Sequence, residues 1–297
     1  MAEVAANPVT LRRDAEALSA TLPPLLAQAE RLASTVVLGA HGRRRAGMGE
    51  TFWQYRPATP GDAASSIDWR RSARSDQLYV RQTEWEAAQT VWLWCDRCAS
   101  MSYKSRAAQT DKRDRAAVLA TALAILLSRG GERLAALGTD AARPAIGESQ
   151  MTRIAAAFSE PEDDDFGAPP AFEAVRGGRA VFVSDFFGDE QAILAGVNAA
   201  ASQGVDGLLL QVVDPAEETF PFDGRIVFES MRGLLNYETD RAKALREDYI
   251  KALSARRDRL ADAARRAGWR FSVHRTSDAP TPALLWLSQG ISQPRNG

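Results

Sequence analysis

The sequence of 297 residues contains only two cysteines, Cys95 and Cys98, and two histidines, His41 and His274. So few leave no disulfide framework, argue against a Cys/His zinc site, and supply a serine–histidine triad poorly. Excess charge is missing as well. With 37 basic and 38 acidic residues the formal net charge is -1, so nothing draws the whole chain onto nucleic acid or anionic lipid. Long apolar runs are also lacking: the longest, Ala116 to Leu127, is too short to cross a bilayer, and the N-terminus lacks the basic-then-apolar pattern of a secretory signal. The expectation is a cytoplasmic protein with no membrane span. Neither a glycine-rich P-loop nor a GxGxxG motif occurs, so this chain is not expected to hydrolyse nucleotides.

What is present is globular: 45% hydrophobic and 25% charged residues allow a sizeable buried core. Residues 1–38 form an expected N-terminal helical arm, rich in Ala and Leu and broken at Pro23-Pro24. Residues 39–88 turn to glycine, arginine and aromatics without a helical period, which suits a β-rich or irregular appendage. Residues 89–297 alternate apolar β-favouring runs with helical stretches. Gln89 to Cys95, Arg179 to Val183 and Gly207 to Val213 read as strands covered on both faces, and they end on Asp96, Asp185 and Asp214. Glu132 to Leu137 adds a strand, with Arg143 to Ile146 as an antiparallel partner; Trp269 to His274 is the last. Asp111 caps one helix, and Thr239 or Asp240 caps a long one. The fold class is therefore α/β, a mostly parallel sheet with helices on both faces, in which ligands bind at the carboxyl ends of the strands.

Cys95-Asp96-Arg97-Cys98 has the spacing of a redox pair, but Cys95 occupies a strand position in an apolar run, where a buried thiol is the expected state. His41 to Arg45 is a short basic run without interleaved aromatics, expected to be a solvated loop face rather than a nucleic-acid grip. The loop PEDDDFGAPP, from Pro161, lacks the spacing of a calcium loop and is likewise expected to be solvated.

Asp96-Arg97-Cys98-Ala99-Ser100 resembles the DxSxS element of von Willebrand factor A-like (vWA-like) domains. That resemblance implies a Mg²⁺ site drawing on Asp96, Ser100 and Asp185, with Thr152 as the one available threonine. The departure is Cys98, where the family has serine. A thiol is a poor ligand for a hard cation, so little or no metal is expected, and Cys98→Ser is expected to favour it. Arg56, Gly61-Asp62, Asp68-Trp69, Arg74, and Arg81 with Glu84 resemble the signature of the bacterial domain of unknown function 58 family. That resemblance implies a partnership with a MoxR-type AAA+ ATPase, which would supply the nucleotide hydrolysis, and the leading expectation is a non-enzymatic vWA-like adaptor or scaffold that offers its strand-end crevice, with or without Mg²⁺, to a carboxylate on the partner. The signature charges are expected to pair with one another, and Trp69 to anchor the appendage on the main sheet. The competing expectation is a phosphatase-like hydrolase with Asp96 as nucleophile. Its plan needs an acid two residues on, where Cys98 stands.

Overall fold

A computed structural model describes residues 24–36, 43–47, 51–60, 62–74, 77–233 and 236–292, and gives the backbone alone for 43–47, 51–54 and 81–87. Helix α1 (Pro24–Ser34) begins at the second of the two prolines, a residue suited to a helix start because it lacks the N–H that would go unpaired there. Its Leu26, Ala29, Leu32 and Ala33 are buried in the main core, and residues 1–23 of the expected arm lie outside the described residues.

The appendage is a three-stranded antiparallel sheet, β1 (Arg43–Gly47), β2 (Thr51–Pro57) and β3 (Tyr79–Ala87), in the order β1-β3-β2. A four-residue helix, α2 (Trp69–Ser72), lies between β2 and β3. β3 leads directly into β4 (Thr90–Cys95), the first strand of the principal sheet.

That sheet contains β4, β5 (Arg133–Ala136), β6 (Arg179–Ser184), β7 (Asp206–Val213) and, after a small hairpin of β8 (Ile226–Glu229) and β9 (Asn236–Thr239), β10 (Arg270–Arg275). Its five strands are all parallel, in the order β10-β7-β6-β4-β5. The apolar runs follow from burial on both faces. Val91, Leu93 and Cys95 of β4 enter a core with α1, α3 (Lys112–Arg129), α4 (Glu148–Ser159) and α8 (Pro280–Ser292), while Trp92 and Trp94 enter another with α5 (Glu190–Ser202) and α7 (Ala242–Arg266). Because successive side chains of a strand point to opposite faces, such a strand must be apolar throughout. The result is the expected three-layer α/β sandwich. Among the described residues no helix is long and apolar enough to cross a membrane.

Several expected boundaries shift. The antiparallel partner of β5 is reduced to one bridge, Leu134 to Ala145. The long helix starts at Ala242 after Arg241 and has no side-chain cap. Asp111, by contrast, caps α3 by accepting from the Asp114 N–H at 2.7 Å.

Candidate functional site

The chain leaves β4 toward β5 on one side and returns to β6 on the other, so the sheet's switch point lies between the carboxyl ends of β4 and β6. In open α/β sheets the ligand crevice forms there. Asp96 follows β4 and Asp185 follows β6, and both are buried. The crevice is filled from within.

Asp96 has no exposed surface. Its Oδ1 accepts from the Cys98 N–H at 3.0 Å and its Oδ2 from the Ser184 hydroxyl at 2.6 Å, while Ser184 Oγ in turn accepts from the Phe186 N–H. Burial, and then the charge of Asp185, pushes the Asp96 carboxyl up to about 6 against those hydrogen bonds. Asp185 is held differently. Its Oδ1 accepts from the Phe187 N–H at 2.9 Å, and its Oδ2 lies 2.8 Å from the Lys112 ammonium, which also lies 2.5 Å from Glu217 Oε1. Burial works against the Lys112 charge, but the carboxylates of Asp185 and Glu217 outweigh it and hold the ammonium above its ordinary range. Burial raises Glu217, and Lys112 partly offsets that.

A lid of main chain covers Asp96. Residues 162–165 are tied to the 97–100 turn: the Glu162 N–H donates to Arg97 O, the Ala99 N–H to Asp164 O and the Ser100 N–H to Asp165 O. The buried Arg97 guanidinium donates to the carbonyls of Ala157, Gly138 and Glu160 and pairs with Glu162. The loop then brings Gly167 against the carboxylate so closely that a methyl group there would sit 2.5 Å from Asp96 Oδ1. Only glycine fits; the loop is solvated at Asp163 and Asp164, as expected, while its Gly167 end is a structural cover.

The structure thus brings Asp96, Ser100 and Asp185 to one end of the sheet, with Ser100 in the turn after β4 and Met101 Sδ accepting from the Asp185 N–H. Thr152 is not with them. It lies exposed on α4, its hydroxyl donating to Glu148 O of the same helix, which removes it from any ligand set. Asp214, the third strand-end carboxylate, caps the short helix α6 (Pro215–Thr219) and accepts from the Ser105 N–H. Among the described residues no group of three His, Cys, Asp or Glu side chains could hold a metal. The oxygens of Asp96 and Asp185 are engaged and an ammonium already touches Asp185, while the Ser100 hydroxyl and, in the covering loop, Asp165 Oδ2 are buried without a hydrogen-bond partner. A hard cation, which is held through one or two free carboxylates and waters, does not fit carboxylates already taken by N–H, hydroxyl and ammonium donors. Lys112, Ser184, Gly167 and Glu217 escaped the sequence reading, although Ser184 directly precedes a strand-end aspartate.

Cys95 and Cys98 are free, buried thiols, and burial raises both above the ordinary thiol range, the opposite of a redox pair. Neither is expected to react with an aromatic disulfide reagent in the native protein, and both are expected to react once urea unfolds it. Rapid labelling of one thiol under native conditions would contradict this burial.

The signature residues form a second cluster. Arg56 grips Asp62 with both terminal guanidinium nitrogens, one of them 2.7 Å from Oδ2, and the Thr59 N–H donates to the same oxygen. Those bonds, Arg56 first, hold the Asp62 carboxyl well below the usual range. Asp68 caps α2 by accepting from the Arg71 N–H and receives the Tyr55 hydroxyl at 3.0 Å, while the Arg71 guanidinium lies over the rings of Tyr55 and Tyr79. Expected pairing inside the segment is therefore present at Arg56 and Asp62. Trp69 is a correction: it is 60% exposed rather than anchored on the main sheet, because the cap fixes α2 with this side chain outward. Arg74 is exposed beside it. Gly61 and the side chains of Arg81 and Glu84 lie outside the described residues.

Comparison with known proteins places these clusters in a family. Uncharacterized proteins of Mycobacterium bovis and Mycobacterium tuberculosis are 29% identical over 284 residues, covering 88% of this chain and 86% of theirs. Two solved structures, the conserved hypothetical protein BatB from Bacteroides thetaiotaomicron and an aerotolerance-related membrane protein from Bacteroides fragilis, are 15% and 16% identical. Each covers 69% of this chain and 98% of its own length, with a TM-score of 0.38. A family model described as "Protein of unknown function DUF58" matches residues 54–259. Since that match runs from β2 through both clusters into α7 and takes in more than half of the chain, the protein belongs to the DUF58 family.

Proposed function

We propose that this protein is a cytoplasmic, non-enzymatic adaptor with a vWA-like core that binds another protein through its signature segment, the partner being a MoxR-type AAA+ ATPase. The observation that carries the reading is the closed crevice. Asp96 has no exposed surface and both its oxygens accept hydrogen bonds, so a nucleophile or a partner-facing ligand site at the strand ends is poorly served. The signature segment offers the opposite: an exposed tryptophan next to exposed arginines 70 and 74, on a turn fixed by Asp68. Trp and Arg are the side chains that most often dominate protein interfaces.

Co-purification of the tagged full chain from its native host, with and without ATP, tests the partnership. An AAA+ ATPase is expected in the wild-type sample and a several-fold smaller amount with Trp69→Ala/Arg74→Ala, at an unchanged melting temperature, since neither side chain is buried. Equal capture by the variant would move the interface elsewhere. Turnover of generic phosphatase substrates, lost in Asp96→Asn, would replace this reading with the hydrolase.

A further inference from the structure

We infer that the Lys112 ammonium is the resident cation of the strand-end cluster, occupying the role that a divalent ion would otherwise fill, and that the cluster is complete without metal. The inference is independent of which partner the protein binds.

The geometry is that of a cation site built around nitrogen. Oxygens from two carboxylates of different elements, Asp185 after β6 and Glu217 in α6, converge on Nζ at 2.8 and 2.5 Å. The ring of Phe187 presents its face 5.0 Å away and that of Tyr103 lies at 5.8 Å, so the remaining directions around the ammonium meet aromatic faces, which attract a cation. Lys112 is among the largest fully buried side chains of the chain. A lysine is rarely buried so completely unless its charge is matched.

The surroundings are built to keep that arrangement. Lys112 opens α3 directly after the Asp111 cap, so its backbone is fixed by the helix start. Glu217 has its second oxygen bonded by the Asp214 N–H at 2.8 Å, within the reciprocal cap of α6. Gln211 donates to the Asp185 carbonyl, and Arg256 donates to the Phe186 carbonyl one residue on. Both partners of the ammonium are thus held by groups that do not depend on it. A divalent ion could reach Asp185 only by expelling a buried ammonium, and the two cations would repel each other. Asp96 offers no alternative, with both oxygens bonded and the Gly167 main chain against them.

Titration of Mn²⁺ and Mg²⁺ into chelator-treated full-length protein, followed by calorimetry and thermal melting, tests the inference. The wild type is expected to show no saturable binding at millimolar metal and the same melting temperature in EDTA as in Mg²⁺. Lys112→Ser opens a gap larger than a single water between two carboxylates, hard ligands for such ions. This variant is expected to melt several degrees lower and to be raised by Mn²⁺. Saturable Mn²⁺ binding by the wild type, abolished by Asp185→Asn, would overturn the inference, as would a Lys112→Ser protein as stable as wild type and indifferent to metal. Should Lys112→Ser not fold, Lys112→Arg, which keeps the charge, is expected to fold without responding to Mn²⁺, and a metal response in that variant would overturn the inference.

Discussion

Asp185→Ala is expected to cost about 3–5 kcal/mol of folding stability, the usual consequence of removing one partner from a buried ion pair. The substitution strips the Lys112 ammonium of one of two carboxylates and leaves the Phe187 N–H without its acceptor. Asp96→Asn is expected to behave oppositely, although its carboxylate follows the neighbouring strand. An amide oxygen can still accept from the Cys98 N–H, the amide NH₂ can donate to Ser184 Oγ in place of the hydroxyl bond that is lost, and the buried charge disappears. The sign follows from linkage. The Asp96 carboxyl titrates near 6 in the folded chain against an ordinary 3.8, so the folded state binds the proton more tightly than the unfolded one. The cost of its charge is therefore fully present above pH 6 and relieved as pH falls toward 4. Relative to wild type, the asparagine variant should gain on the order of 2 kcal/mol between pH 4 and pH 8. Urea denaturation across that range measures both effects. A destabilised Asp96→Asn at pH 8 would mean that the hydrogen bonds from Ser184 and Cys98 outweigh the cost of the buried charge.

The contrast bears on what a sequence can say about such a site. The strands were legible because their apolar runs are continuous, and β4 needs Val91 and Leu93 for one core and Trp92 and Trp94 for the other. Carboxylates at strand ends are legible by position, so the sequence pattern alone places Asp96 and Asp185 together. Their states are not legible in it. Lys112 meets partners 73 and 105 residues further along the chain, and in sequence it is one more lysine in the first turn of a helix. Gly167 sits in a loop whose composition, three aspartates among prolines, signals solvent exposure, yet its role is set by a close approach to Asp96 that no local pattern encodes.

The signature segment shows the same division. Pairing between Arg56 and Asp62 follows from proximity in sequence and opposite charge, and it is present. The direction of Trp69 depends on which way a four-residue helix is turned by its cap, and a general preference of tryptophan for burial gave the wrong answer. The β8–β9 hairpin and α8 carried little signal for different reasons. The hairpin strands are short and half exposed, and a proline-interrupted start obscures α8, although Leu284, Leu287 and Ile291 bury one face of it.

Arg97→Ala is expected to be the substitution that opens the strand-end cluster. The guanidinium ties the β4 end to three carbonyls, those of Ala157, Gly138 and Glu160, and to the Glu162 carboxylate at the start of the covering loop. Truncation leaves those acceptors to water or to nothing, at a cost of about 2–4 kcal/mol. What remains on the loop is main-chain pairing through Glu162, Asp164 and Asp165, which lacks the long-range staple to α4. Opening should therefore become local and frequent rather than global. Cys98 reports it well, because its thiol lies against Glu162 while Cys95 is buried in the helical core. In Arg97→Ala, Cys98 is expected to be labelled many times faster than in wild type at urea concentrations far below the unfolding midpoint, with Cys95 still protected. Hydrogen exchange at the Ala99 and Ser100 amides, which donate to the loop, should quicken in parallel. Labelling of both thiols together, only as the protein unfolds, would show that the loop opens with the whole domain.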